Sequence, residues 1–146
     1  MKKIKILSLL MGLAALFAAC HDEEESPQIP MTVRTVFMYL VADNDISGDI
    51  YNNIASVEDG LKKAASPGTF VIYWDGPRSS EFPVPTLFKY EVDGQGGVTE
   101  RIIVQTYGEQ DSVDPSVMLK VFNDMRQLCP ADSYGLIFGS HATGWL

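Results

Sequence analysis

Three long apolar stretches, at residues 34–41, 69–74 and 134–139, constrain this chain more than any other feature. Each is rich in β-branched and aromatic residues, and each halts at a polar or glycine-containing cluster. A run without polar alternation fits a strand covered on both faces, the condition of parallel strands flanked by helices. Between the first two runs, Ile46, Ile50, Ile54, Val57 and Leu61 recur at spacings of 4, 4, 3 and 4. That spacing predicts one apolar helix face, with Asp45 or Ser47 as cap and Ser66-Pro67-Gly68 as the stop. Before the third run, Asp114-Pro115 reads as an N-cap followed by proline at the first helical position. Val117, Met118, Val121, Phe122, Met125 and Leu128 continue it as a stripe that Cys129-Pro130 ends. Residues 86–92 and 98–107 flank a glycine-rich turn at 93–97 and read as a hairpin. That turn lacks the Lys, the Ser/Thr spacing and the following helix of a phosphate loop. The order strand, helix, strand, hairpin, helix, strand implies an α/β fold, an αβα sandwich with a mainly parallel sheet.

With 146 residues the chain has the length of one ordinary domain. All 19 acidic groups, and all but Lys2, Lys3 and Lys5 of the 11 basic ones, lie beyond residue 19. The net charge of −8 repels phosphate backbones, so nucleic acid is excluded as a partner. Two cysteines and two histidines supply neither a disulfide scaffold nor a His-rich zinc cage.

The amino terminus reads as an address. A basic stretch ending at Lys5 precedes an apolar run over 6–19, shorter than the about 20 residues a bilayer crossing needs. This is the pattern of a secretory signal peptide at 1–19. Ala18-Ala19-Cys20 at its end resembles a bacterial lipobox, in which Cys20 is lipidated and becomes the first residue of the mature chain. The charged run behind it, with His21, makes 20–32 a solvated tether. An acidic run directly after the lipid cysteine also resembles the surface-export signals of Bacteroidetes lipoproteins. The expected location is therefore the outer membrane, reached through a lipid anchor and extending to the cell surface.

In open parallel sheets, chemistry gathers beyond the carboxyl ends of the strands. Three polar clusters fall there: Asp43-Asn44-Asp45, Asp75, and Ser140-His141. His141 is the candidate catalytic residue, since a neutral imidazole serves as general base and then as general acid. Cys129 is not its partner. It lies before the third apolar run while His141 lies after it, so a six-residue strand separates them by roughly 20 Å. The aspartates lack the spacing of a calcium loop, and the residues assign no metal or cofactor.

The residues 35–46, from Thr35 through Asp43-Asn44-Asp45 to Ile46, resemble the opening strand and Asp-Asn segment of clostripain-like cysteine peptidases. Val71-Ile72-Tyr73-Trp74-Asp75 is similar to their second strand, which ends in Asp. Pro130-Ala131-Asp132, an apolar strand and His141-Ala142-Thr143-Gly144-Trp145 resemble their histidine motif. The resemblance covers residues 34–146. It implies a caspase-like fold in the gingipain and legumain clan, and cleavage of peptides, often after Arg or Lys, by a Cys–His dyad. By the same resemblance, His141 is the catalytic histidine and Gly144 and Trp145 close its motif. Ala142 replaces the usual glycine, which bears on the backbone geometry there. The family's nucleophilic cysteine ends the next strand, beyond residue 146. Residues 33–146 are thus expected to be the amino-terminal half of a peptidase domain, incomplete and inactive as given, with peptide or protein as substrate and calcium as the cofactor that the family brings into view. The competing reading is a non-catalytic surface lipoprotein that binds peptide or glycan with the same fold.

Overall fold

The structure, a computed structural model, describes residues 32–78 and 81–141. The signal segment 1–19, Cys20, His21 and the tether to residue 31 lie outside the described residues, as do Ala142, Gly144 and Trp145. Five strands and two helices follow in the order β1 (Thr32–Val41), α1 (Ser47–Leu61), β2 (Pro67–Asp75), β3 (Thr86–Asp93), β4 (Ile102–Thr106), α2 (Pro115–Leu128) and β5 (Ala131–Ser140). They form one sheet of order β4-β3-β2-β1-β5. β2 and β5 both pair with β1 in parallel, whereas β3 and β4 add an antiparallel hairpin that makes the sheet mixed.

Each helix covers one face, because strand alternation sends neighbouring residues to opposite sides. On one face Met38, Leu40, Ile72, Trp74 and Phe88 meet Ile50 and Ile54 of α1. On the other, Phe37, Tyr39, Val71, Tyr73 and Leu87 meet Val121 and Met125 of α2. This is the αβα sandwich that the apolar runs and helical stripes predict. From β1 the chain moves to β2 on one side, then returns through α2 to place β5 on the other. Right-handed connections in opposite directions put α1 and α2 on opposite faces. The strand order therefore reverses between β1 and β5, which makes their carboxyl ends a topological switch point.

The element ends differ from the sequence expectation in four places. Neither Asp45 nor Ser47 caps α1; the Asn44 side chain instead accepts from the Ile46 N–H at 3.1 Å. Pro67 and Gly68 do not end α1 but open β2, where a missing N–H is tolerated at a first strand residue. β4 starts at Ile102 rather than at 98, with Val98 making only an isolated bridge to Val92. β5 is longer than the apolar run, because pairing to β1 recruits Ala131, Asp132, Ser133 and Ser140. The cap of α2 is as predicted, with Asp114 accepting from the Ser116 N–H at 2.7 Å and Pro115 in the first turn.

The 93–97 turn needs glycine at Gly94, whose φ is 76° and whose missing Cβ leaves room for the Ser66–Pro67 backbone. Asp93 ties the turn by accepting from the N–H groups of Gln95 and Gly97 at 2.7 and 2.9 Å.

Arg101 pins the segment before β4 to the α1 side. Its guanidinium bonds Glu58 at 2.8 Å, Glu81 at 2.6 Å and the Tyr90 hydroxyl at 2.9 Å, and it stacks over Phe82 and Phe88. The hydrogen bond from Tyr90 and the Arg101 charge hold the Glu58 carboxyl below its ordinary pKa, and Tyr51 and Arg101 do the same for Glu81. Depressed folded values mean that this support is present above the unfolded carboxylate pKa and is lost as pH falls through the folded ones. Arg101→Met is expected to cost about 1–3 kcal/mol at pH 7, toward the low end because solvent screens Glu81. The cost should shrink at pH 3, a difference that urea denaturation at the two pH values measures.

Candidate functional site

The carboxyl end of the parallel strands is set by register. Val41 pairs with Asp75 of β2 on one side and with Ser140 of β5 on the other. The three polar clusters picked out in the sequence therefore meet at one end of the sheet, around the switch point. Asn44 builds the turn out of β1: its side-chain amide donates to the Val41 carbonyl at 3.1 Å, and its main-chain carbonyl accepts from the Ser47 N–H at 3.2 Å. Asn44 is thereby committed to the backbone, while Asp43 and Asp45 are exposed.

β5 delivers His141 to this end, directly after Ser140. Its Nε2 lies 3.8 Å from Asp45 Oδ1. That is beyond hydrogen-bond range and forms an ion pair only when the imidazole is protonated. The imidazole is 42% exposed, open to a substrate or to a further protein group. Cys129 stands at the other end of β5. Ten residues of strand separate the two by about 30 Å. Burial pushes the Cys129 thiol pKa up, the opposite of what a nucleophile requires.

Asp75 differs from its exposed neighbours. It is 6% exposed and accepts from Ser112 Oγ at 2.5 Å. The Tyr73 hydroxyl lies 2.7 Å from the same Oγ, and Gln110 Nε2 donates to Tyr73 at 2.8 Å. Ser112 has one proton, and the carboxylate can only accept it. The order is then fixed: Gln110 donates to Tyr73, Tyr73 to Ser112, and Ser112 to Asp75. The Tyr39 hydroxyl donates to the Ser112 carbonyl at 2.9 Å and stacks on Tyr73 with ring centres 4.6 Å apart. Burial raises the Asp75 carboxyl pKa, opposed by the Ser112 hydrogen bond and reinforced by the negative charges of Glu109, Asp43 and Asp111.

Ser112, Gln110, Tyr39 and Tyr73 are absent from the sequence expectation. A usable signal was present: two tyrosines inside fully buried strands must find hydroxyl partners. Asp75 follows Tyr73 by two and so shares its face.

A raised folded pKa means that the native state holds the Asp75 proton more tightly than the unfolded chain. Stability from this group therefore falls as pH rises through the window above the unfolded value. Asp75→Asn keeps a carbonyl acceptor for Ser112 and removes the desolvated charge. The variant is expected to gain stability relative to the parent between pH 3 and pH 7, read as a shift in urea midpoint.

Among the described residues, no group of three or more His, Cys, Asp or Glu side chains is placed to hold a metal ion, so calcium has no assigned ligands there. A groove of about 360 Å³, lined by Val33, Leu61, Pro67 and Phe70 among others, opens at the amino ends of β1 and β2. It lies opposite the end that carries His141 and contains no His, Cys, Asp or Glu.

The αβα sandwich matches the fold of caspase-like C11 cysteine proteases. Residues 38–146 match the clostripain family, and the chain belongs to that family. Clostripain of Hathewaya histolytica is 27% identical over 124 residues, covering 75% of this chain. The match spans 23% of that relative's own length. A B. fragilis cysteine protease structure is 30% identical with a TM-score of 0.64, covering 78% of this chain and 92% of that one. A secreted C11 cysteine protease of Bacteroides thetaiotaomicron, solved with an irreversible peptide inhibitor, is 31% identical with a TM-score of 0.62. It is covered over 30% of its length, and 78% of this chain takes part.

Proposed function

We propose that residues 33–146 are the amino-terminal half of a lipid-anchored cysteine endopeptidase, with His141 as the acid–base member of a Cys–His dyad. The observation that carries this reading is the position of His141, exposed at the switch point with the chain's only described thiol, Cys129, buried at the far end of β5. The nucleophile then belongs to a strand beyond residue 146. β5 offers that strand a place: among the described residues it pairs only with β1, and Leu136, Ile137 and Phe138 are exposed along it.

In the completed site His141 takes the thiol proton. The thiolate attacks the scissile carbonyl carbon, forming the C–S bond. As the C–N bond breaks, the imidazolium returns its proton to the leaving amine. Water, deprotonated by the same imidazole, then releases the acyl group and restores the thiol. Residues 33–146 alone hydrolyse no peptide bond. The acidic rim of Asp43, Asp45 and Asp111 favours substrates with Arg or Lys at the cleaved bond. Gly144 and Trp145 complete the histidine motif, Cys20 carries the lipid, and 20–32 spaces the domain from the outer membrane.

The test joins this chain to the segment that follows it in the gene, in one polypeptide or two. A peptide carrying Arg or Lys and a thiol-reactive group should label a cysteine in the downstream segment, and only when His141 is present. Labelling of Cys129, or none with both halves folded together, overturns the dyad.

A further inference from the structure

The loop at 107–113 carries two exposed acids, Glu109, which pairs with Arg78 at 3.2 Å, and Asp111, and it returns to the end of the sheet that holds His141. Loops that long normally wander, yet this one hangs from four buried or half-buried points. The Tyr107 N–H donates to the Pro85 carbonyl at 2.8 Å. Tyr39 holds the Ser112 carbonyl, Asp75 and Tyr73 hold its hydroxyl, and Gln110 reaches Tyr73. Ser112 itself is 2% exposed. Two of the four points fall on this one serine and a third reaches its partner Tyr73, and the acceptor that fixes the direction of the serine proton is Asp75. Asp75 and Ser140 flank Val41 on adjacent strands, so the anchored loop stands roughly 10 Å from the strand end that bears His141, the width of two strand spacings.

We propose that Asp75 is a positioning residue: through Ser112 it fixes the 107–113 loop as one wall of the peptide cleft and so sets where Asp111 stands relative to a basic substrate side chain. The inference rests on the peptidase reading for its consequence, though not for its geometry. Asp75 touches no substrate in this account. Its carboxylate is consumed by Ser112, and the charge offered to the substrate is that of Asp111 on the loop. A carboxylate that ends a directed chain of donors is hard to replace by an apolar group, because Ser112, Tyr73 and Gln110 all lose their order with it.

The experiment uses the complete peptidase, this chain with its downstream segment, and the variants Ser112→Ala, Asp75→Ala and Asp75→Asn. Two readouts are taken. Hydrogen exchange reports whether the amides of 108–113 lose protection while those of β1 and β2 keep theirs. Steady-state kinetics on a peptide with Arg or Lys before the cleaved bond separates KM from kcat. Ser112→Ala and Asp75→Ala should loosen the loop and raise KM roughly tenfold, the scale of one hydrogen bond to a charged group, with a smaller change in kcat. Asp75→Asn retains an acceptor and should restore both readouts most of the way. If Asp75→Ala fails to fold, Ser112→Ala and the Asn variant still decide the matter. Unchanged loop protection in Ser112→Ala overturns the proposal, as does a fall in kcat at constant KM. A parent without peptidase activity overturns the functional reading instead, and the exchange measurement then judges the anchoring alone.

Discussion

His141→Ala is expected to lower peptide hydrolysis by the complete peptidase by about 10²–10⁴-fold, the usual worth of a positioned general acid–base group. The loss should fall on kcat and on kcat/KM together, since the imidazole contributes in the transition state and little to ground-state binding. Stability should stay within about 0.5 kcal/mol, because the side chain is 42% exposed and bears only a 3.8 Å contact with Asp45. Asp45→Asn offers the matching comparison: Asp45 is 82% exposed, so stability should hold, and as a rim acid its effect should fall on KM rather than on kcat. Steady-state kinetics with urea denaturation on the same samples separates a chemical loss from an unfolding one. Retention of more than a tenth of the activity in His141→Ala would sink the acid–base assignment.

Trp74→Ala should have the largest effect on folding, about 3–5 kcal/mol, a large share of the 5–15 kcal/mol that holds a domain together. Trp74 is 1% exposed, sits edge-on to Tyr51 at 5.4 Å, and packs with Leu40, Ile54 and Phe88 under α1. Its indole also fills the space where Gly76 would carry a Cβ. Gly76→Ala alone therefore forces the ring to move and should cost about 1–3 kcal/mol. In a Trp74→Ala background that clash is gone, so the second substitution should cost much less. A double-mutant cycle by urea denaturation measures the coupling, and strict additivity would show that the ring and the glycine do not share this space. Trp74→Phe should lose far less than Trp74→Ala, because the indole N–H has no hydrogen-bond partner among the described residues.

Much of this architecture was legible in the order of residues, because burial on both faces leaves a local signature. The runs that became β1, β2 and β5 needed no polar alternation, and the stripes of α1 and α2 named the residues that each sheet face receives. The Asp114-Pro115 cap was readable for the same reason: its chemistry is complete within three residues. What could not be read depends on distant partners. Nothing near Ser112 announces that it meets Asp75, Tyr73 and Tyr39, which come from strands 37 to 73 residues away. The late start of β4 has a similar origin, since Arg101 is committed to Glu58 and Glu81 before the strand begins. Asp43, Asp45, Asp75 and His141 fall at one end of the sheet because each closes or follows a strand. Their different burial was hidden, so a buried structural acid and two exposed ones looked alike.

The side of β5 that is open among the described residues also bears on timing. Strand pairing is non-specific enough that an uncovered edge with apolar side chains on both faces accepts any extended segment it meets. Ribosomes add about 5–20 residues each second. If the covering strand lies downstream, as proposed, β5 is complete seconds before its proper neighbour exists. During that interval a neighbouring nascent copy is as good a template partner as the correct one. On that proposal, the sequence of this segment is under pressure from the order of synthesis as well as from the stability of the finished protein.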